Sequence, residues 1–582
     1  TLIGDSGVNT LSGGGGDDLL DGGAGSAGDS FVGGSGSDTV TYANATAGVI
    51  ASMTASLSYL QAGDGSGDSF TGVENLNGSA HGDTLIGDGA ANTLSGGDGN
   101  DTLEGMGGGD ILDGGSGSNT ASYLHASTGV LVSLTSPGSN SGDATGDSYL
   151  NIQNLVGSAY GDTLIGNSGV NTLTGGDGND VLEGMAGADT FKGGNGINTV
   201  SYEHSATWVS VSLVDPAAFN DGVDAKGDTY ENIHNIIGSR FDDAFRGDNG
   251  ANIFNGGLGI DTVYYTAPTS DATGVIASLT ASLSALQSGD AAGDVFVGIE
   301  WLWGSSNNDT LIGDEFANTL VGALGNDVLE GLGGADRLLG AQGNDTVSFE
   351  HSGGGVSASL LAGVGYSGDA AGDIYDEIEN MTGSAYADVL EGSNIANTIK
   401  GGGGDDLLKG WGGADILDGG TGSDFMYGGD GNDSIYAAVG DWAYGENNND
   451  TFYLSLGSLP AVMDGGARDA GGDGNSVVLQ NLVNNNSYSL STLAGVSTNI
   501  DTVNIRDGLS TGLTISSLDV RNMVDNGNAS QLFVKANSGD TLNISLAAGE
   551  TVTPTVVDST HTDYTIYNAS HVQIAQIHWH VG

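Results

Sequence analysis

Apolar residues recur every nine positions along most of the chain. The run that starts at Gly78 divides into blocks of nine, of which the third reads GGDGNDTLE. In each block the eighth position is apolar, and most of its neighbours are polar. One inward-pointing residue between outward-pointing ones predicts a very short β-strand in every block. In this run the eighth position is held by Leu85, Leu94, Leu103, Leu112 and Ala121.

The sixth position of each block carries an acid or an amide. The glycines before it permit positive φ, so the chain turns sharply where other residues would clash. One nonapeptide therefore predicts a loop and a strand. Two predict a full coil of about eighteen residues, with successive loops stacked about 4.8 Å apart. In the run from Gly78 the sixth position reads Asp83, Asn92, Asp101, Asp110 and Asn119.

Spacers separate this run from others like it. Each spacer reads roughly TVSY, a β-branched stretch such as GVLVSLT, then GDxxGD, then NIQNL or IENM. The acidic pair either binds metal or makes an acidic turn, and the sequence leaves both open. The pairs are Asp64/Asp68, Asp143/Asp147, Asp224/Asp228, Asp290/Asp294 and Asp369/Asp373. Further runs open at Gly157, Gly238 (a shortened run), Gly304 and Gly383, and residues 1–40 are the tail of an earlier one.

From about Ala437 glycine thins out, and stretches such as QLFVKA alternate apolar and polar residues, which favours an antiparallel sheet. We therefore predict an all-β protein. It is a parallel β-roll solenoid of nonapeptide repeats, interrupted by short β segments, with a C-terminal β-sandwich-like domain that caps the last coil. The predicted boundaries are 1–77 for a partial run and spacer, 78–156, 157–237, 238–303 and 304–382 for runs with spacers, 383–436 for a run, and 437–582 for the C-terminal domain.

Charge adds a constraint on the partners. The 582 residues include 73 acidic and 11 basic ones, which gives a formal net charge of −62. Nucleic acid is excluded as a partner because phosphate binding needs clustered Lys and Arg. The acids either solvate the surface, as in a salt-adapted protein, or bind cations. Their fixed place at the sixth position favours cations.

The ends and the apolar segments give further expectations. No apolar run approaches the roughly 20 residues that a membrane helix needs, so we expect no membrane span. Thr1 falls in the middle of a repeat without a signal peptide, which predicts that further sequence precedes it.

Stacking the coils places the sixth-position acids in columns. Carboxylates about 5 Å apart repel by roughly 3 kcal/mol at an effective dielectric of 20. Such a column needs a cation between its levels. Calcium suits it because it is hard, large and tolerant of irregular geometry, and it accepts carboxylate and carbonyl oxygens, whereas magnesium demands a tighter octahedron. We therefore predict multiple Ca²⁺ ions as the cofactor.

Three nonapeptides carry a family resemblance. GGDGNDTLE at Gly96–Glu104, GGDGNDVLE at Gly175–Glu183 and GGDGNDSIY at Gly428–Tyr436 resemble the RTX (repeats-in-toxin, or hemolysin-type) calcium-binding nonapeptide GGxGxDxUx. The resemblance implies a parallel β-roll with calcium between adjacent loops. It also implies export by type I secretion and folding outside the cell, where calcium is plentiful.

The candidate calcium ligands are the sixth-position aspartates. Asparagine at this position donates less charge, so weaker or absent sites are expected there, as at the incomplete GALGND that starts at Gly322. The candidate ligands are Asp18, Asp38, Asp83, Asp101, Asp110, Asp162, Asp180, Asp189, Asp243, Asp261, Asp309, Asp327, Asp336, Asp345, Asp388, Asp406, Asp415, Asp424 and Asp433.

Other motifs predict little chemistry. His578 and His580 share a strand face in HWH, but no third metal ligand is evident in the sequence, which favours surface histidines. Neither HExxH nor a GxSxG elbow between a strand and a helix occurs, and we expect no enzyme. The predicted strands place Thr84, Thr93 and Thr102 in an outward row. This row resembles an ice-binding face, but strand propensity explains it more simply. The tryptophans are too dispersed in sequence to predict a carbohydrate platform.

The leading functional hypothesis is therefore a structural protein. We expect a secreted, extracellular or cell-surface calcium-binding protein of the surface-layer, fibre or adhesin type, which folds and self-associates into a fibre or lattice when calcium binds. Two alternatives stay open. The chain is the C-terminal secretion and folding module of a larger secreted enzyme or toxin, or it is a module that binds cell-surface polysaccharide.

Overall fold

The computed structural model describes the chain apart from residues 26, 267–273, 456–458, 468–473, 481–486, 490, 506–511, 525–529, 537, 539, 568, 572 and 582. The chain forms two compact units. The first comprises Thr1–Ala267 with Asp290–Ile299, and the second comprises Pro268–Gly289 with Glu300–Gly582.

Both units are built mainly of short strands. Those of the first unit are β1 (Leu2–Ile3), β2 (Thr10–Gly15), β3 (Leu19–Asp21), β4 (Ser30–Ser35), β5 (Thr39–Thr41), β6 (Ile50–Ser52), β7 (Ser69–Thr71), β8 (Asn75–Asn77), β9 (Thr84–Ile86), β10 (Thr93–Ser95), β11 (Thr102–Glu104), β12 (Ile111–Asp113), β13 (Thr120–Ser122), β14 (Leu131–Ser133), β15 (Ser148–Leu150), β16 (Asn154–Val156), β17 (Thr163–Ile165), β18 (Thr172–Asp177), β19 (Val181–Glu183), β20 (Thr190–Asn195), β21 (Thr199–Ser201), β22 (Ser210–Ser212), β23 (Thr229–Glu231), β24 (Asn235–Ile237), β25 (Ala244–Arg246), β26 (Ile253–Asn255) and β27 (Thr262–Tyr264). Strand β28 (Ile276–Ser278) belongs to the second unit and β29 (Val295–Val297) to the first.

The second unit continues in the same style. Its further strands are β30 (Trp301–Trp303), β31 (Thr310–Ile312), β32 (Thr319–Leu324), β33 (Val328–Glu330), β34 (Arg337–Gln342), β35 (Thr346–Ser348), β36 (Ser357–Ser359), β37 (Val364–Ser367), β38 (Ile374–Asp376), β39 (Asn380–Thr382), β40 (Val389–Glu391), β41 (Thr398–Lys400), β42 (Leu407–Gly412), β43 (Ile416–Asp418), β44 (Phe425–Asp430), β45 (Ser434–Tyr436), β46 (Trp442–Asn447), β47 (Thr451–Ser455), β48 (Val462–Asp464), β49 (Ser476–Gln480), β50 (Ser487–Ser489), β51 (Ser497–Thr498), β52 (Thr502–Asn504), β53 (Gly512–Ser516), β54 (Ser530–Ala536), β55 (Thr541–Ser545), β56 (Thr551–Val556), β57 (His561–Tyr567) and β58 (Gln573–Val581).

Helical segments are short. The α-helices are α1 (Pro216–Phe219), α2 (Ser491–Ala494) and α3 (Ser517–Met523), and the 3₁₀ turns are Ala55–Leu60, Gly63–Gly65, Pro137–Ser139, Gly142–Ala144, Ala281–Leu286, Gly289–Ala291 and Gly368–Ala370. Within the described part of the chain, no helix has the length and apolarity needed to cross a membrane.

Successive strands alternate between two parallel sheets. Strands β9, β11 and β13 lie in one sheet, and β10 and β12 lie in another. Thr102 pairs with Thr84 in the preceding coil and with Thr120 in the following one. Both partners are eighteen residues away, which is the length of two nonapeptides. The predicted all-β parallel β-roll is confirmed.

The core is a stack of single side chains. The eighth-position residues Leu85, Leu94 and Leu103 are fully buried, and Phe191 and Phe254 take the same place in later coils. Burying one such side chain stabilises the fold by about 1.5–3 kcal/mol. Because the core is only one residue deep on each side, each coil depends on its neighbours for burial.

Each spacer contains a reversal of the chain direction. In the second spacer β14 pairs with β17 farther along the chain, whereas β15 pairs back with β12. Between them, Ser141 makes an antiparallel bridge with Leu131. In the fifth spacer this reversal is a full strand, and the order within the sheet is β34-β38-β37-β36-β40. The chain thus advances, turns back and advances again before coiling resumes.

In the first unit the spacers alternate between sheets. The first and third spacers contribute β6 and β23 to one sheet, whereas the second and fourth contribute β14 and β29 to another. The runs between them contain even numbers of strands, β8–β13, β16–β21 and the shortened β24–β27. The shortened run therefore lacks one whole coil, and the following spacer keeps its place.

The C-terminal segment extends the coils. Strands β45, β47, β49, β52, β54 and β58 are parallel neighbours in one sheet, and β46, β48 and β51 in another. Antiparallel strands β57 and β56 follow β58 at the edge of the first sheet. We predicted a β-sandwich-like cap from residue 437, but the parallel strands named above continue the sheets of the roll there, while β50, β53 and β55 form a separate three-stranded parallel sheet. Apolar residues such as Phe452 and Val477 still fill the core although glycine is less frequent.

Removing a whole coil should be tolerated, while removing half a coil should not. Deletion of residues 175–192 leaves the second full run as short as the run from Gly238, and we expect cooperative thermal unfolding in calcium, followed by circular dichroism. Deletion of residues 175–183 moves the next spacer to the wrong sheet. We expect that variant to lose roughly 3 kcal/mol or more of additional stability. Equal stability of the two deletion variants would contradict the conclusion that each run needs an even number of strands to place the next spacer in the correct sheet.

Candidate calcium sites

The sixth-position side chains join successive coils through hydrogen bonds. The backbone N–H of Asp83 donates to Oδ1 of Asp101 over 2.8 Å. The N–H of Asp101 donates in turn to Oδ1 of Asn119 over 2.9 Å. Asp162, Asp180 and Asn198 repeat the arrangement one run later. Asn119 and Asn198 can take the role of an acid because the amide offers the same acceptor oxygen. Asn92 and Asn171 join the coils differently, since Nδ2 of each donates to a carbonyl of the preceding coil, that of Glu74 and that of Gln153.

The second carboxylate oxygen of many column members is buried without a hydrogen-bond partner among the described residues. Leaving an acceptor buried and unsatisfied costs about 1–3 kcal/mol, and more when it is charged. The carboxylates whose Oδ2 has this property are Asp18, Asp38, Asp101, Asp110, Asp180, Asp189, Asp327, Asp336, Asp345, Asp406, Asp415, Asp424, Asp433 and Asp450.

The pKa values of these carboxyl groups show the same cost of burying a charge. Burial raises the pKa of Asp101 and Asp180 to about 6, despite the N–H donor that each carboxylate has. Burial raises the pKa of Asp336 to about 8, with the nearby Asp373 carboxylate adding to the shift. Burial therefore disfavours the charged form of these carboxylates, and a proton or a nearby cation would relieve that cost.

A carbonyl oxygen meets the unpartnered carboxylate oxygen. A side chain on Gly175 would collide with Oδ2 of Asp180 and with the carbonyl oxygen of Gly193 in the next coil. Gly96 stands in the same relation to Asp101 and the Gly114 carbonyl. The first-position glycine is thus required by space, and two acceptor oxygens converge beside it.

Two asparagines place an N–H donor, instead of a second oxygen, opposite the carbonyl of the next coil. Beside Gly193, the side-chain nitrogen Nδ2 of Asn198 donates to the Asn232 carbonyl over 3.1 Å. Asn119 does the same toward the Asn151 carbonyl, also over 3.1 Å. At Asn119 and Asn198 a donor therefore already lies between the oxygens. At an acid without a protein donor, a cation can take that place.

The residues present fit calcium. Hard oxygen ligands from carboxylates and backbone carbonyls are those that Ca²⁺ prefers, and its variable coordination number suits loops that differ between levels. The aspartates whose Oδ2 lacks a hydrogen-bond partner would hold the Ca²⁺ ion together with carbonyl oxygens of the neighbouring coil. A cation between two coils supplies the charge that the buried carboxylate oxygens lack.

Aspartates that open a run are satisfied differently. Ser79 donates its N–H to Oδ2 of Asp83 over 2.5 Å and its hydroxyl to Oδ1 over 2.9 Å. Ser158 treats Asp162 in the same way. The predicted ligands in this class are Asp83, Asp162, Asp243, Asp309 and Asp388. Their serine donors fill the positions that a cation would take.

The remaining predicted ligand, Asp261, also lies in a column, because the N–H of Asp243 donates to its Oδ1 over 2.7 Å. Every predicted aspartate is therefore a buried column member apart from Asp18, which is half-buried. The assignment of individual ions to them stays a prediction.

The two acids of each spacer pair take different places in the structure. The second acid enters a column, as when the N–H of Asp110 donates to Asp147 over 2.9 Å. Its other oxygen accepts a tyrosine hydroxyl, that of Tyr123 over 2.8 Å, and Tyr42, Tyr202 and Tyr265 cap the equivalent acids. The first acid lies in a 3₁₀ turn in four of the pairs, as Asp143 does, and Asp224 lies in another turn. The second acids therefore have protein donors, and metal binding by the pairs stays an alternative.

Some column members escape the nine-residue spacing. Asp29, which follows a small insertion in the repeat near Ala27, accepts the N–H of Asn9. Asp441 and Asp450 accept from Asp424 and Asp433 at an offset of 17 residues. Each is followed two residues later by an apolar core residue, and this shorter signal survives where the nine-residue spacing does not.

Asp180→Asn should change the stability of the apo and calcium-bound forms in opposite directions. The amide keeps the hydrogen bond to the Asp162 N–H and can donate to the Gly193 carbonyl, as Asn198 does in the next coil. In chelator we expect a gain of about 1 kcal/mol in unfolding free energy, and in calcium a loss of about 1–3 kcal/mol with one ion fewer bound.

The matched control is Asp162→Asn in the same column. Its amide would face the Ser158 N–H, so this change should destabilise both forms. Denaturant unfolding with and without chelator, together with calcium counting by equilibrium dialysis, measures both effects. An unchanged ion count in Asp180→Asn would remove Asp180 from the ligands.

Comparison with known families agrees with this geometry. No curated protein matches the chain. The family model of the RTX calcium-binding nonapeptide repeat (4 copies) matches at residues 1–27, 70–103, 86–121, 154–182, 165–200, 235–263, 296–315, 312–347, 382–417 and 412–441. These segments lie in the nonapeptide runs and their edges, so the resemblance seen in GGDGNDTLE is confirmed. The chain is an RTX-type calcium-binding repeat protein, which binds multiple calcium ions.

Proposed function

We propose that this protein is an extracellular structural protein of the cell surface or matrix, of the surface-layer, fibre or adhesin type. It folds and assembles when calcium binds, and it reaches the outside by type I secretion. The observation that carries the proposal is the column of buried carboxylates whose second oxygen has no donor. An ion there completes the packing of two coils.

The position of the candidate ligands supports a structural role. They lie between successive coils and are almost all buried, as Asp180 and Asp189 illustrate. An ion in that place has no free face for a substrate, unlike a catalytic metal, which keeps an open coordination position. Calcium in the columns therefore contributes to folding, and we propose a non-enzymatic protein.

The calcium dependence also supports export before folding. In low calcium the stacked acids repel and keep buried oxygens unsatisfied, which disfavours the folded state. In high calcium, binding to the folded state alone stabilises it by mass action. A chain that stays unfolded until it meets calcium outside the cell suits a secretion channel that passes unfolded polypeptide.

The second candidate function is polysaccharide binding, which one surface favours. An open groove of about 460 Å³ is lined by Lys409, Trp411, Tyr427, Gly429, Asp430 and Glu446. Tyr427 stacks on Tyr444 with ring centroids 5.0 Å apart, and the Lys409 ammonium lies 5.9 Å from the Trp411 ring. Aromatic faces beside hydrogen-bonding groups are the surfaces on which sugar rings pack.

The repeat geometry positions Trp411 at this groove. Trp411 is 45% exposed, and its φ of 71° is the left-handed conformation that Met106, Met185 and Leu332 share at the second position of their nonapeptides. The repeat itself therefore sets this backbone, and at Trp411 it places a ring beside the groove. Glu446, in the next coil, has φ of 70° and lines the same groove. Trp411, which has no tryptophan near it in sequence, thus shares a groove with Tyr427 in the folded chain.

Chelation tests the first proposal. Removal of calcium should abolish the β-sheet circular dichroism of the full chain, and calcium should restore it together with larger, regular assemblies seen by size-exclusion light scattering. Magnesium at the same concentration should restore neither, because it keeps its waters. A chain that refolds but stays monomeric at high concentration would favour the alternative of a secretion module attached to a larger enzyme or toxin. Unchanged dichroism in chelator would overturn the calcium-dependent fold.

Trp411→Ala tests the second candidate. Calcium-loaded protein should be retained on a neutral glycan matrix, and this variant should lose about tenfold in affinity because a stacked ring is gone. Trp208→Ala removes a similarly exposed tryptophan of the first unit, 47% exposed, and should leave retention unchanged. Retention that depends on neither residue would exclude the groove.

A further inference from the structure

Three histidines and an aspartate come together on the last hairpin. In the antiparallel pairing of β57 with β58, His561 lies opposite His580, and Asp563 lies opposite His578. Alternate residues of a strand share a face, so these four side chains form a square on one face. The sequence showed only the pair His578 and His580. The pairing of β57 with β58 supplies the others.

Ring nitrogens and a carboxylate oxygen converge in this square. Nε2 of His561 and Nδ1 of His578 each lie 2.6 Å from Oδ1 of Asp563. One ligand atom from each of these residues lies within 4.8 Å of the others. The His580 ring stacks on the His561 ring with centroids 3.9 Å apart, so a fourth donor is adjacent.

The square is rigid and largely shielded. The side chains of His561, Asp563 and His578 are 17%, 19% and 13% exposed. The His578 ring packs against Phe533 of the neighbouring strand β54, with centroids 4.4 Å apart. Its Nε2 is buried without a hydrogen-bond partner among the described residues. Packing that fixes the rings before an ion arrives favours tight binding.

The histidines elsewhere have other roles. His125, His204 and His351 each pair through Nδ1 with a buried glutamate at the end of a nonapeptide, Glu104, Glu183 and Glu330. These are isolated pairs with one acid each. Among the described residues, the hairpin cluster alone brings ligand atoms of three His, Cys, Asp or Glu side chains within 4.8 Å of one another.

We propose that His561, Asp563 and His578, with His580 beside them, form a site for a divalent transition metal of the zinc class. Imidazole nitrogen with one carboxylate suits Zn²⁺, Ni²⁺ and Cu²⁺, whereas calcium takes oxygen ligands. The site is therefore chemically distinct from the aspartate columns.

Zinc titration of the full chain in saturating calcium tests this site. Calorimetry should detect one zinc ion per chain, and cobalt in its place should give the visible absorption of a low-coordinate site. Excess calcium occupies the columns and should not compete. His578→Gln and Asp563→Asn should each weaken zinc binding at least about tenfold. His81→Gln, at an exposed histidine of the first unit, should leave it unchanged.

Circular dichroism in calcium shows whether each variant folds. Asp563→Asn keeps the size and one acceptor oxygen, so it serves as the test if His578→Gln does not fold. Absence of zinc binding by the wild-type chain in excess calcium would overturn the proposal and leave the cluster as a hydrogen-bonded group. Equal zinc binding by all variants would do the same, because the zinc would then lie elsewhere.

Discussion

The structure depends on the division of labour between the two oxygens of a single carboxylate. One oxygen accepts the backbone N–H of the coil before it, and this bond sets the stacking of loops throughout both units. The same bond turns the other oxygen inward, beside a first-position glycine and near a carbonyl of the next coil. Holding the coils together thus creates the deficit that a cation corrects. The carboxylate that stacks the coils is therefore the same group that creates the place for a cation.

The chain shows four ways to meet this deficit. A cation is needed at levels such as Asp180, an amide nitrogen takes its place at Asn198, a serine caps Asp162, and a tyrosine hydroxyl caps Asp147. The caps occur at the spacers and at the first repeat after them. The interruptions of the roll are thus held by protein donors, whereas the acids that lack a second donor lie in the uninterrupted coils. Calcium is therefore expected in the runs, while the spacers carry their own hydrogen bonds.

The C-terminal segment departs from the repeat chemistry while keeping the repeat geometry. Asp441, Asp450 and Asn475 continue the columns after the nine-residue spacing has ended. The last strands then replace parallel pairing by an antiparallel hairpin, which brings histidines into direct opposition. A nitrogen-rich cluster arises there because directly opposite residues on antiparallel strands meet side by side. The parallel coils instead stack like with like.

The sequence by itself determined the coil, the core and the chemistry of the columns. A period of nine with one apolar and one acidic position admits few other folds, and a stack of acids at one loop position requires cations. Only the tertiary structure separated Asp162 from Asp180, because the donor that satisfies the first is a serine whose importance lies in where its N–H points. It alone joined His561 and Asp563 to His578, since strand pairing across a hairpin is not written in local periodicity. Local pattern determined what repeats, and contacts between coils decided how each repeat differs.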